Sequence, residues 1–384
     1  MNYNNRHDND STTIMRIVCA VAFVTFSFSF LYLRQSDVLS VAQHVLSGGQ
    51  TTYSPTWGAV IITLTLMLLH RGVNTYFPIN RRFHWLTYFP SFLLLTIVTD
   101  ISPEIDINFS MGAWLWLLPL LLVAWFFITL GLRNVIDYEA DINSRGLFSR
   151  LVWINLFALC TMSLCTGLIS GGDDLFHHKA KMETLLVDRD FAKAAIVGEK
   201  TLDGDPTLTM LRSYALSREG RMADEMFRYA VNGTSETLLP TGKNTRLMLY
   251  PTDSIYRYLG ARPLPDMTTR QYLSSLLASG YKTKAISDYI LCGKLVDRDL
   301  DGFARELPLH YNINDSLPQH YREALVLYTH RRANPLVVYK NQVMDTDFDD
   351  FQKLEDSISE SSARRLALFE QYFGTYWYYY EYDK

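Results

Sequence analysis

Apolar residues run almost without interruption through five stretches of the first half of the chain, at about 17–33, 54–69, 85–99, 111–132 and 151–169. A helix needs about 20 such residues to cross the hydrocarbon core of a bilayer. The first, fourth and fifth stretches reach that length. The second and third are short, with Tyr53, Trp57, Trp85 and Tyr88 placed where interfacial aromatics extend a span. From Gly171-Gly172 onward the pattern changes to apolar positions at i, i+3 and i+4 among charged ones, the spacing of amphipathic helices. The pattern predicts an all-α protein: a five-helix transmembrane bundle over 1–172, then a soluble α-helical domain over 173–384.

Charge gives the bundle a direction. Of the nine arginines in 1–172, Arg6, Arg16, Arg71, Arg81, Arg82, Arg133, Arg145 and Arg150 fall on one side of a five-crossing topology, and only Arg34 on the other. The loop at 100–110, on Arg34's side, is acidic, with Asp100, Glu104 and Asp106. The positive-inside rule then sets the N-terminus in the cytoplasm and residues 171–384 outside it, on the periplasmic side of a bacterial inner membrane. No small-x-small cleavage site follows Phe30, so the first stretch is expected to stay as a span. The first lysine is Lys179, and the second half holds most of the charge, for a net of −4 overall. Nothing has the basic density that nucleic acid requires.

The spans contain no Asp, Glu, Lys, Arg or His between their ends, with Arg16 and His70 at the edges. Asn155 is the strongest polar group inside them, joined on its span by Thr161, Ser163 and Thr166. Ion-coupled transport needs ionisable or carbonyl ligands at membrane depth. Pro90 and Pro119 could free carbonyls by kinking their helices, which ordinary membrane helices also do.

In the second half, Phe191, Ala194, Leu202 and Asp205-Pro206 stand at the places where a tetratricopeptide repeat has the aromatic, the small residue and the closing Asp-Pro of its second helix. A helix over 208–218, a turn at Glu219-Gly220-Arg221 and a helix over 222–231 follow, and Pro206 and Pro240 are separated by that family's period. The segment 173–232 therefore resembles tetratricopeptide-repeat-like domains. The layout as a whole resembles multi-span membrane proteins of Bacteroidota that carry degenerate repeats. Looser helical segments are expected at 252–260, 268–279, 282–294, 297–309, 318–331 and 350–373. Stacked helix pairs leave a concave surface, so the resemblance implies a protein or peptide partner.

Other chemistry is sparse. Asp297, Asp299, Asp301 and Gly302 open like a calcium loop, but its twelfth position is Pro308, so an acidic first helical turn is expected instead. Asp173, Asp174, His177 and His178 read as a polar turn at the membrane exit and lack a third convergent ligand, and Asp137, Glu139 and Asp141 as a solvated loop. Cys19, Cys160 and Cys165 lie in apolar segments, and Cys292 stands by itself in the second half. No nucleophile elbow, metalloprotease helix or phosphate loop is present, so no catalytic residue and no cofactor is expected. The aromatic run 376–382 is expected to cap a helical stack or to lie at the membrane interface. The sequence thus points to a membrane-anchored interaction scaffold. The alternative is a small membrane transporter or membrane enzyme with a helical accessory domain.

Overall fold

The computed structural model describes residues 3–77, 79–107, 111–132, 146–171, 173–199, 201, 204–240 and 246–383, with side chains from Thr12 onward. Among them every regular element is helical and there is no strand. The chain forms two compact units, Met1–Ala180 and Lys181–Lys384.

The first unit opens with α1 (Tyr3–Ser29), which ends in a π-helical turn, Phe30–Arg34. There follow α2 (Ser36–Leu46), α3 (Pro55–Tyr76), a 3-10 run (Arg81–Tyr88) leading into α4 (Phe89–Thr99), α5 (Trp114–Leu132) and α6 (Arg150–Ile169). Hydrogen bonds fix their directions. Trp85 N, Thr96 Oγ1 and Thr99 Oγ1 meet Asn155, Thr166 and Ser170 at a constant offset of 70 or 71 residues, so the third element runs parallel to α6. His70 meets Thr87, and Ser91 donates to the Leu66 carbonyl, so α3 is antiparallel to it. Trp114 reaches Asp100 and Trp125 reaches the Leu86 carbonyl, so α5 is antiparallel as well. Phe23 of α1 packs on Tyr88 and Phe92, and Gln35 beyond its end donates to the Ser170 carbonyl. The five elements alternate in direction.

Among the described residues, four helical segments are long and apolar enough to cross a membrane: Thr12–Arg34, Pro55–Tyr76, Trp114–Leu132 and Arg150–Ile169. The stretch expected as a third span departs from a plain α-helix. Phe83 has non-helical φ/ψ, and Pro90 has no N–H for the Leu86 carbonyl four residues back. That carbonyl takes the Phe89 N–H and the Trp125 Nε1–H instead. The result is a 3-10 run followed by an 11-residue α-helix, with Ser91, Phe92, Leu95, Thr96 and Thr99 buried. The second stretch is longer than expected, because α3 continues past His70, whose ring is covered by Tyr88. Pro119 lies inside α5. Helix α2 occupies what the sequence left as a loop and buries Val38, Leu39, Val41 and Ala42.

The division between units falls within α7 (Asp174–Val187). The second unit continues with α8 (Phe191–Ile196), α9 (Pro206–Arg218), α10 (Met222–Glu225), α11 (Thr252–Leu259), α12 (Thr269–Ala278), α13 (Lys284–Val296), α14 (Leu300–His310), α15 (Gln319–Arg331), α16 (Gln342–Ser357), α17 (Ser361–Tyr372) and α18 (Tyr376–Tyr382). Side chains write the starts: Asp190, Asp205, Thr283, Asp299, Asn341 and Thr375 each accept a backbone N–H of the first turn. Two second helices are shorter than the pattern predicts. Helix α8 stops at Ile196, where the buried Arg212 guanidinium takes the Ala195 and Val197 carbonyls at 3.1 and 2.6 Å. Helix α10 gives way to a 3-10 turn because the Phe227 N–H goes to His320 Nε2, and the Phe227 ring packs between His320, Tyr376 and Tyr379. The segment expected at 350–373 is two helices, α16 and α17, divided at 358–360.

Candidate functional site

The first unit hides a polar layer that the sequence placed at a helix edge. His70 and His84 are both buried, on α3 and the 3-10 run. The His70 ring stacks on Tyr88 at 3.7 Å and 13°, and its Nε2 lies 3.0 Å from Thr87 Oγ1. His84 meets both rings edge-on, at 5.8 Å from His70 and 5.7 Å from Tyr88, and the charge of Arg16 bears on it. The Tyr88 hydroxyl is buried without a hydrogen-bonding partner. Asn155, the polar group singled out from sequence, is committed to the fold. Its Oδ1 accepts Trp85 N–H at 2.8 Å, and its Nδ2 donates to the Arg81 and Leu151 carbonyls at 3.1 and 2.9 Å. The carboxamide ties the start of the 3-10 run to α6, which satisfies backbone groups that have no helical partner there.

At the opposite end of this unit, Thr99, Asp100, Ser102, Ser170, Asp173, Phe176 and His177 line part of a cavity of about 180 Å³. Asp173 caps α7 through the Phe176 N–H, Asp174 pairs with Arg34 at 3.3 Å, and His177 Nε2 lies 3.4 Å from the Ser170 carbonyl. Burial lowers the pKa of His177. Among the described residues no three His, Cys, Asp or Glu side chains converge as metal ligands.

In the second unit the repeat positions fall as follows. Ala194 is fully buried; Phe191 is half-buried, edge-on to Tyr214 at 6.3 Å with the Arg218 guanidinium 4.2 Å from its ring centre. Pro206 is the first residue of α9, behind its Asp205 cap, and Gly220 turns the chain with φ +70°. Leu202 lies outside the described residues, as do Arg133, Arg145, Asp137, Glu139 and Asp141. The structure does not bring the calcium candidates together. Asp297 accepts from Ser235 N and Oγ, Asp299 caps α14 and pairs with Lys294 at 2.8 Å, and Asp301 takes both arms of Arg332. Each carboxylate therefore already has a separate partner.

What sequence reasoning missed is a set of buried carboxylates. Glu183 accepts three successive backbone N–H groups, Met248, Leu249 and Tyr250, at 2.5–3.2 Å. Glu323 accepts from His320 Nδ1 at 2.9 Å, Tyr376 N at 2.7 Å and Gln319 Nε2 at 2.8 Å. Because His320 Nε2 accepts the Phe227 N–H, the ring proton sits on Nδ1, facing Glu323. Asp288 Oδ1 accepts the Tyr311 and Tyr321 hydroxyls at 2.5 and 2.9 Å; burial raises its pKa, against the pull of those two donors. An acidic residue on an otherwise apolar helical face was the available signal. The aromatic run at 376–379 lies in the same core. Tyr376 and Tyr379 donate to the Leu295 and Val296 carbonyls, and Trp377 to the Glu323 carbonyl.

Among the described residues, fold and site together show only helical elements, with four long apolar helices in one unit and a core pinned by buried carboxylates in the other. Residues 264–383 match a family of unknown function, DUF6057. That segment runs from α12 to α18 and includes Asp288, His320, Glu323 and the aromatic run. No curated protein and no solved structure matches the chain.

Proposed function

We propose that the chain is an integral protein of a bacterial inner membrane, held by its first unit, whose helical second unit serves as a docking surface for a protein or peptide on the periplasmic side. One observation carries this reading. The five elements of the first unit alternate in direction, with Arg16, Arg71, Arg81, Arg82 and Arg150 toward one end and Asp100, Asp173 and Asp174 toward the other. Arginine is retained on the cytoplasmic side, so the chain leaves the bilayer outside the cytoplasm. The third element is long enough for its part. Its 3-10 residues rise by about 2.0 Å each and its α residues by about 1.5 Å, which gives roughly 30 Å in all. Exposed apolar side chains on the other four, such as Leu33, Leu68, Trp116 and Phe157, suit a hydrocarbon surround.

Docking is supported by what the second unit does with its polar groups and leaves on its surface. Its buried carboxylates cap its own backbone, and Leu336, Val338 and Val343 stand exposed between α15 and the first turn of α16. Alkaline phosphatase fused after Lys384 is expected to be active, and a reporter that works only in the cytoplasm is expected to be silent. The reverse pattern would refute the topology. A photo-crosslinking residue at Val338 is expected to capture a discrete partner that the same residue at Lys193 does not. Equal capture at both positions would remove the case for this surface.

A further inference from the structure

Among the described residues of the first unit, five buried oxygens have no hydrogen-bonding partner: Ser27 Oγ, Gln35 Oε1, Tyr53 Oη, Thr63 Oγ1 and Tyr88 Oη. Four of these residues, Ser27, Gln35, Thr63 and Tyr88, are more than nine-tenths buried, and Tyr53 is less so. A serine or threonine inside a helix ordinarily returns its hydroxyl to the carbonyl one turn back. Thr65, Thr96, Thr99 and Ser163 do so here, and Ser27 and Thr63 do not. Paired hydroxyls such as Thr96–Thr166 and Thr99–Ser170 hold helices together. An unpartnered hydroxyl holds nothing, and its burial is a pure cost unless something else bonds it.

The directions of the elements place these oxygens in order. Tyr88 lies with His70 and His84, at the end where Arg16 stands. Ser27 is one turn along α1 from Phe23, which packs on Tyr88. Thr63 is one turn along α3 from Leu66, whose carbonyl takes Ser91. Next come Thr96 with Thr166, then Thr99 with Ser170. Gln35 and His177 both reach the Ser170 carbonyl, and Asp100 and Asp173 share a cavity with Ser170 and His177. Polar groups thus recur at successive levels from the histidine layer to the carboxylate end, and the unpartnered ones fall at different levels between the two.

We infer that the interior of this unit binds a file of water molecules on these four oxygens, and that the file passes protons between the His70–His84 layer and the Asp100–Asp173 end. The inference rests on the first unit spanning a membrane and not on what the second unit docks. The balance is simple. A proton enters at one end, O–H bonds are remade along the file, and a proton leaves at the other. Nothing is oxidised or reduced, and the transmembrane electrochemical potential difference for protons is the driving force.

The test uses the full chain in phosphatidylethanolamine–phosphatidylglycerol vesicles that enclose a pH-sensitive dye, with a potassium diffusion potential imposed. Internal pH is expected to change several-fold faster than in protein-free vesicles. The combined Ser27→Ala, Thr63→Val and Tyr88→Phe variant is expected to lose most of the excess flux. It is also expected to melt no lower than the parent, since no protein group loses a bond. Ser163→Ala, whose hydroxyl bonds Leu159 beside an outward-facing groove, is expected to keep the flux. Flux equal to protein-free vesicles, undiminished flux in the triple variant, or a lower melting temperature in that variant would each overturn the inference. Failure of the chain to float with the vesicles would remove the membrane reading as well, so the two failures are told apart.

Discussion

Glu323 shows how much a single side chain organises in the second unit. Its carboxylate takes donors from α15 and from the first turn of α18, in a place with almost no solvent. Glu323→Ala leaves Tyr376 N–H and His320 Nδ1–H buried and unpaired, an expected loss of about 3–5 kcal/mol in denaturant unfolding. Asp288 adds a pH dependence. Burial raises its folded pKa above the ordinary 3.8, so its favourable contribution is complete below the unfolded value and is lost as pH rises through the folded one. Asp288→Asn keeps an acceptor for Tyr311 and Tyr321 and has no proton to lose. Relative to the parent, the variant is expected to gain stability between pH 4 and pH 7, and unfolding curves at the two values measure it. At the repeat positions, Ala194→Phe is expected to cost about 1–3 kcal/mol by overpacking a fully buried site. Phe191→Ala is expected to fall below the 3–5 kcal/mol or so of a full core truncation, because Phe191 is only half-buried. Lys193→Ala, at an exposed site, is expected to be nearly silent in the same unfolding measurement.

Elements here are ended by tertiary demands more often than by local sequence. Most helices of the second unit stand within a few residues of where the apolar spacing places them, because the spacing and an Asp, Asn or Thr cap agree at those starts. The exceptions are α8 and α10, cut short by Arg212 and His320, residues far along the chain that take the backbone groups a longer helix would have used. The same holds for the 3-10 run, which Asn155 stitches to α6. Asn155→Leu removes three hydrogen bonds and is expected to lower the melting temperature of the first unit. Thr96→Cys with Thr166→Cys tests the parallel placement of α4 and α6. The two hydroxyls are 3.1 Å apart, so the pair is expected to cross-link under mild oxidation. Thr63→Cys with Thr166→Cys, which has no such contact, is the comparison. Equal cross-linking of both pairs would refute the placement.

As a whole molecule the chain carries two compact units with different means of cohesion. The first is helix against helix, with aromatic layers such as Phe23, Tyr88 and Phe92 and hydroxyl pairs between elements. The second adds buried carboxylates that receive backbone N–H groups from distant segments. Two separable transitions are expected in calorimetry of the detergent-solubilised protein, with Glu323→Ala moving one and Asn155→Leu the other. A single transition moved by both variants would show the units to be one cooperative body.

The sequence by itself determined the helical class, the apolar stretches, the arginine asymmetry and most helix starts. Each is a local or periodic property, set by side-chain polarity at 3.6-residue spacing and by caps next to the backbone they serve. It also showed that Asp297, Asp299 and Asp301 lack the twelfth ligand of a calcium loop; only the tertiary structure gave each of them a different partner. The histidine layer, the carboxylate caps at Glu183 and Glu323 and the unpartnered oxygens of the first unit were decided by the tertiary structure alone. The contacts of the first two reach residues as much as 67 positions away, and no periodicity or motif encodes which buried polar group will meet which, or which will meet none. A polar residue in an apolar stretch reads alike in sequence whether it bonds a distant backbone or bonds nothing, and packing alone separates the two.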